Sequence, residues 1–430
     1  MPLITSATVE PPPLNRFRIV WAALACATLL KLYLALTTAG TLDAAAFADH
    51  LAKIREHGGV GAYHMRGAFN NPFNSPPFVV HALRAMGRLG DATGLPFAFW
   101  LRLPGVLADA GSLLLVWRLL AREQPRRDLR WPLLVVALSP VLVIISGHHG
   151  NTDTVMIFFA LLSVYLAGRG GGAWLAGAAF GMALNVKAVP LLLIPAVWFY
   201  LPAARRRAEF FGAAAAVFLT GSLPYLARDP AAIARAVFGY GSLYGHWGWS
   251  YLLARWLPGS LQFANPPHDV AGVHAVYASA GKWLLLSLVV GLAYGLNLRR
   301  PKPPLFFQCG LAFALFLLLT PGFGSQYLSW PVPWLAAVGL RAALTYNVLA
   351  GLVLLFSYWH FPHAFVGPIY SAAGRLLGGL ATPPAYDVST VIYALMLLCW
   401  ASTLLLLLAY CRMLRRGRGA GGGTTEREIR

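Results

Sequence analysis

Long apolar runs, broken by short clusters of arginine, proline and glycine, make up most of the chain. A helix needs ~20 apolar residues to cross a bilayer. Runs of about that length fall near 19–38, 98–120, 131–147, 152–168, 173–187, 188–203, 208–226, 276–298, 305–320, 328–343, 345–362 and 388–411. Several are short, so 152–203 also reads as tilted or re-entrant. The pattern predicts an all-α polytopic membrane protein of about 12 transmembrane helices.

Lys and Arg set the orientation, because short cytoplasmic loops retain them. With the N-terminus inside, the inner segments hold Arg16 and Arg18, the run 122–130, Arg169, 205–207, Arg299, Arg300, Lys302, Arg341 and the tail from Arg412. Both termini are then cytoplasmic. Two long outer loops remain, 39–97 and 227–275, each carrying amphipathic surface helices. Residues 1–411 read as one transmembrane domain and 412–430 as a disordered basic tail. The polar, Pro-rich start (Met1–Pro13) shows no cleavable signal, and the first apolar run is long enough to stay as a span.

Composition removes the alternatives to a membrane. Of 430 residues, 58% are hydrophobic and only 11% charged, too apolar for a soluble core or a disordered chain. The net charge is 34 − 15 = +19; with this pattern it points to anionic lipid rather than nucleic acid. Cys26, Cys309, Cys399 and Cys411 lie in or beside apolar runs, with neither metal-ligand spacing nor a disulfide framework.

The candidate chemistry gathers on the outer side. Phe47, Leu51 and Ile54 recur at helical spacing, so 44–57 reads as an amphipathic helix on the membrane. Asp49 and Lys53 fit a surface ion pair on it. Asp43 sits before the first turn, either as a cap or as a base at the membrane surface. Asn70, Asn71 and Asn74 flank a proline-fixed turn and suit sugar hydroxyls. In Ser146–Asp153, the residues His148, His149, Asn151 and Asp153 need partners that lipid does not supply. No further ligands at helical spacing support a metal there, so a hydrogen-bonding cluster is the better reading. Lys187 reads either as a snorkelling lysine or as a point charge for a phosphate oxygen. Arg102 suits a bidentate phosphate clamp. Asp109 and Lys31, at matching depth, read as a structural pair. The aromatic, glycine-rich stretch 239–251, which contains His246, suits a ring substrate, an acyl chain or an interfacial belt. Asp229-Pro230 reads as a helix start. Gln326 and Tyr327 open the last cluster, and the Gln326 amide needs partners.

Together these motifs resemble the GT-C superfamily of integral membrane glycosyltransferases. Gly147-His148-His149-Gly150-Asn151, with Lys187 downstream, is similar to the Gly-His turn of the dolichol-pathway glucosyltransferases. Ser325-Gln326-Tyr327-Leu328-Ser329-Trp330 resembles the Ser-Gln-Tyr-x-x-Trp of the GPI mannosyltransferase I family and related bacterial mannosyltransferases. The resemblance spans roughly 39–340. It implies a polyprenyl-phosphate sugar donor, a lipid-linked or glycan acceptor, inversion, and no organic cofactor. It also implies a catalytic Asp in the first outer loop, matched by Asp43, and basic or polar residues holding the donor, for which Arg102, His148, His149, Asn151, Asp153, Lys187, His246, Gln326 and Tyr327 are the candidates. The chain lacks an Asp-Asp or Asp-Glu pair at 43–44, which leaves Asp49 as a second carboxylate and metal dependence open. A bacterial inner (plasma) membrane follows as the expected location.

Two other classes compete. An outward-facing oligosaccharide polymerase or ligase predicts an Arg or His leaving-group pair in place of one Asp base. A lipid or solute transporter predicts polar residues from face to face, and a binding or scaffolding protein predicts no cavity with convergent polar groups.

Overall fold

The computed structural model describes residues 17–65, 72–124, 127–169, 172–239, 242–257, 272–360 and 388–419. The chain opens with α1 (Arg18–Thr37), α2 (Leu42–Gly61), α3 (Phe78–Thr93) and the long α4 (Phe97–Glu123). Then α5 (Arg130–Ala137) and α6 (Pro140–Ile144) lead into a π-helical turn, Ile145–His149. Next come α7 (Asp153–Gly168), α8 (Ala173–Val186), a 3-10 turn (Val189–Leu193), α9 (Ile194–Tyr200) and α10 (Ala204–Leu226). A surface section follows with α11 (Pro230–Phe238), β1 (Leu243–Tyr244) and α12 (Gly248–Trp256). The last part holds α13 (Val273–Leu298), α14 (Leu305–Leu319), β2 (Gly322–Phe323), 3-10 turns over Ser325–Ser329 and Val332–Ala337, α15 (Leu340–His360) and α16 (Val388–Gly419).

Among the described residues, seven helices are long and apolar enough to cross a membrane, and four shorter apolar helices accompany them. Leu29, Trp283 and Leu404 stand exposed on α1, α13 and α16, and exposed apolar surface of this kind is stable against lipid. The protein is an all-α, multi-pass membrane protein. Small residues allow close packing inside it. A Cβ on Gly177 would lie 2.0 Å from the Phe210 carbonyl oxygen, so only glycine lets α8 and α10 approach that far.

Segment ends collect in two groups. At one end, Arg127 donates from Nη1 to the Ala337 oxygen (3.1 Å) and from Nη2 to the Val338 oxygen (2.7 Å). Nearby in sequence logic, Lys302 donates to the last carbonyls of α9, Phe199 (3.2 Å) and Tyr200 (3.1 Å). At the other end, His64 Nε2 lies 3.1 Å from Asp229 Oδ2, and β1 pairs antiparallel with β2, Leu243 opposite Phe323. These contacts bring His64, Asp229, β1 and β2 to the same end of the bundle, where the chain continues into the Gln326 turn. Asp229 caps α11 by accepting from the Ala232 amide at 2.8 Å, as its place before a proline predicts.

Several elements differ from the sequence reading. Residues 328–343 are not one apolar helix but 3-10 turns followed by α15. Pro331 and Pro333 lack the amide hydrogens that an α-helix requires. Pro140 likewise splits 131–147, with Ser139 capping α6. Pro190 starts 188–203 as a 3-10 turn. Helix α16 continues to Gly419, so 412–419 is helical where a disordered tail was expected; 420–430 lies outside the described residues.

Candidate active site

The site is built where α1 ends, α2 begins and the π-helical turn meets α7. Thr41, not Asp43, is the N-cap of α2: its Oγ1 accepts from the Asp43 amide (3.2 Å) and donates to the His149 carbonyl (2.8 Å). That frees the Asp43 carboxylate to face the turn 145–151. Asp43 Oδ2 accepts from Asn151 Nδ2 at 2.5 Å and from His149 Nε2 at 3.1 Å. Asn151 is oriented by its own carbonyl, which accepts from the Thr152 amide at 2.6 Å. Its amino group therefore faces the carboxylate. Asp43 Oδ1 makes no hydrogen bond among the described residues, and the side chain is 31% exposed.

A carboxylate only accepts, so His149 Nε2 carries a hydrogen. Its Nδ1 lies 2.7 Å from the Tyr358 hydroxyl, which donates to Ser325 Oγ at 3.2 Å. The two rings stack, with 5.7 Å between centroids and 7° between planes. Burial pushes the Asp43 carboxyl up, but the adjacent His149 and Lys187 and the hydrogen bonds from His149 and Asn151 outweigh it and hold the group below the ordinary 3.8.

Gly150 closes the turn at φ 81, a left-handed conformation that costs glycine little. A Cβ there would also meet the Ala44 Cβ at 2.9 Å. π-Helical turns are rare and cluster at functional sites; this one carries both histidines.

Asp153 and Lys187 form a second unit beside the first. Asp153 is fully buried; Oδ2 accepts from Lys187 Nζ at 2.7 Å and Oδ1 from Trp330 Nε1 at 2.6 Å. Lys187 is thus a paired charge, and Asp153 hydrogen-bonds neither histidine among the described residues. Lys187 stays partly exposed and lines the same cleft as Asp43.

That cleft holds about 140 Å3 and is open to the surface. Asp43, His50, Asn74, Asn151, Lys187, Gln326 and Tyr327 line it. Asn70 and Asn71 lie outside the described residues. Beside it, an apolar groove of about 360 Å3 runs between α8, α9, α10 and α11, walled by Leu184, Leu191, Phe211, Phe218 and Phe238. Ala188 and Val237 belong to both walls, so the groove opens beside Lys187.

Other candidates sit elsewhere. Arg102 is 1% exposed and lies behind the site. Its Nη1 donates to the carbonyls of Ala35 (3.2 Å) and Thr38 (2.8 Å), capping α1, rather than clamping a ligand in the cleft. His148 is also buried, with Nδ1 3.0 Å from Thr38 Oγ1. Asp49 pairs with Lys53 at 2.7 Å and does not line the cleft. His246 packs against Tyr393 near α16, Nδ1 to hydroxyl 3.2 Å. Tyr327 reaches the cleft and hydrogen-bonds the Ser242 hydroxyl. Lys31 and Asp109 pair at 2.6 Å inside the bundle, joined by the Ser146 hydroxyl at 2.6 Å.

The sequence reading missed two residues. Tyr358 closes the chain from Asp43 through His149; the polar run Ser357-Tyr358 at the end of an apolar segment is its only signal. His50 is 3% exposed, on the packed face of α2 between Phe47 and Ile54, edge-on to Phe73 at 5.2 Å. Its Nδ1 has no partner among the described residues. Burial lowers it to about 4, so it lines the cleft as a neutral imidazole.

Compared with known proteins, the chain matches no protein-family model, and no curated protein matches it significantly in sequence.

Proposed function

We propose that the protein is a GT-C-type membrane glycosyltransferase. It transfers a hexose, mannose or glucose, from a polyprenyl-phosphate donor to a lipid-linked or glycan acceptor, with inversion. One observation carries this reading: an ionised, oriented carboxylate in a polar cleft that continues into an apolar groove at Lys187. A hydroxyl-bearing acceptor fits the polar part and a hydrocarbon tail the groove.

In this mechanism the acceptor hydroxyl binds at Asp43 Oδ1. Its oxygen forms a bond to the sugar C1 as the bond from C1 to the phosphate oxygen breaks. The proton passes to Asp43, and the polyprenyl phosphate leaves with the electron pair. The hydroxyl becomes acidic only as the new bond forms, so a weak base suffices late in the step. Lys187 faces the departing phosphate and stabilises its added charge. His149 and Asn151 hold the carboxylate in place.

The proposal includes twelve crossings with both termini on the cytoplasmic side. Supporting this, Ser325 lies by Tyr358 and Ala337 by Arg127. Thirteen residue steps, most of them in the two 3-10 turns, cover roughly 26 Å at ~2.0 Å each, near the thickness of a bilayer core. Segment 325–338 then crosses without being an α-helix. Positive-inside placement puts the Arg127 end in the cytoplasm and the cleft outside. Against a transporter, the mid-bundle charges Lys31 and Asp109 neutralise each other and line neither the cleft nor the groove.

The test is incubation of purified protein with polyprenyl-phosphate-mannose, polyprenyl-phosphate-glucose and nucleotide sugars in separate reactions. Labelled product from a polyprenyl-phosphate sugar, lost by roughly 10²–10⁴-fold in Asp43→Asn, is the expected result. Product from nucleotide sugars alone, or full activity in Asp43→Asn, overturns the reading.

A further inference from the structure

The end of the bundle remote from Asp43 holds a cavity of about 280 Å3 that the proposed transfer does not use. Arg299, Arg300 and Lys302 line it on one side, and Phe307, Met413 and Leu414 on another. We propose that this cavity binds an anionic phospholipid, its phosphate at Arg299 and Arg300 and one acyl chain along Phe307, Met413 and Leu414.

The charges are unevenly satisfied. Lys302 is committed to the carbonyls of Phe199 and Tyr200 and lies 5.2 Å from the Tyr200 ring centre. Arg300 uses Nη1 on the carbonyls of Asn297 and Arg299. The Arg299 guanidinium makes no hydrogen bond or ion pair among the described residues. Burial, then Arg300 and Arg207, hold the Lys302 ammonium below its usual range: cations have been brought together without an equal number of anions. Glu123 is the one acid lining the cavity. A phosphodiester offers two oxygens to the planar donors of an arginine.

The apolar side selects a lipid over a free anion. Phe307 is buried edge-on against Tyr410 at 4.8 Å, so this wall is rigid. Met413 and Leu414 lie on α16, one of the long apolar helices whose outer face is exposed, so a chain on that wall continues into the bilayer. Basic pockets between transmembrane helices on the cytoplasmic side favour such headgroups, at about 1 kcal/mol per Lys or Arg near the surface.

The experiment uses the full chain in a neutral detergent, with dioleoyl-phosphatidylglycerol or dioleoyl-phosphatidylcholine added at equal concentration and bound lipid read by native mass spectrometry. Phosphatidylglycerol should be retained in preference to phosphatidylcholine. Arg299→Gln/Arg300→Gln should weaken that retention by about thirtyfold. Leu414→Trp, which narrows the apolar wall and leaves the charge alone, should also weaken it. Arg169→Gln/Arg205→Gln removes two cations outside the cavity and should leave it unchanged. Equal retention of phosphatidylcholine, or an equal loss in Arg169→Gln/Arg205→Gln, overturns the proposal. So does thermal stabilisation by inorganic phosphate alone that matches the lipid's, which would make this a free-anion site.

Discussion

His149 Nε2 lies 3.1 Å from Asp43 Oδ2, while the other nitrogen of the same ring lies 2.7 Å from the Tyr358 hydroxyl. The imidazole therefore links a carboxylate at the start of α2 to a phenol near the end of α15. A charge-assisted hydrogen bond is worth ~1.5–3 kcal/mol. His149→Gln should lower kcat/KM by roughly ten- to a hundredfold. Tyr358→Phe keeps the stacked ring and loses only the hydroxyl, so its loss should be smaller. Steady-state transfer rates for the two variants check the order; a larger loss in Tyr358→Phe would contradict it.

The pH dependence of transfer should be flat on its acid side down to about pH 5. Asp43 in the folded protein lies below the ordinary 3.8, so it stays ionised throughout that range. The same shift adds stability that is present above 3.8 and is lost as pH falls through the folded-state value. An acid limb in kcat/KM centred above pH 5 and assigned to this carboxylate would contradict the geometry.

His50 has the opposite chemistry and the same direction of dependence. Its folded value of about 4 lies below the ordinary 6.5. Between those values the unfolded chain binds the proton and the folded chain does not. Stability is therefore full above 6.5 and falls as pH drops towards 4, by up to about 3 kcal/mol. Thermal unfolding followed from pH 7 to 4.5 should show a shallower decline in His50→Gln than in the parent protein. Parallel curves would show that His50 is not held neutral.

Asp153 serves two partners at once, Lys187 and Trp330. Asp153→Asn leaves Lys187 without its counter-charge in a mostly enclosed place, which typically costs ~3–5 kcal/mol. Asp153→Asn/Lys187→Met removes both charges and should recover part of that loss. Trp330→Phe should cost ~1–3 kcal/mol, because it leaves a buried carboxylate oxygen without its donor. Denaturation midpoints of the three variants test the ranking.

Much of this arrangement was legible wherever a local rule forced it. Lys31 and Asp109 had to pair because lipid solvates neither, and they do. Asp49 with Lys53 and the Asp229 cap follow from spacing along one helix. Distant pairings left no such trace. Lys187 finds Asp153 and His149 finds Tyr358 only because separate helices end at one place. Sequence depth does not say which way the Arg102 side chain points; it turns towards the open end of α1. The prolines at 331 and 333 are visible in the sequence, but the apolar run around them hides the 3-10 turns they impose.

Segment 325–338 is fastened at Ser325 to Tyr358, at Trp330 to Asp153, and at Ala337 and Val338 to Arg127. Two 3-10 turns in series have little slack, unlike a loop. Displacing the Arg127 anchor would tug the indole that braces Asp153 and, through it, the lysine at the mouth of the apolar groove. The two ends of the bundle are in that sense tied by one short cord, and cutting either knot should be felt at the other.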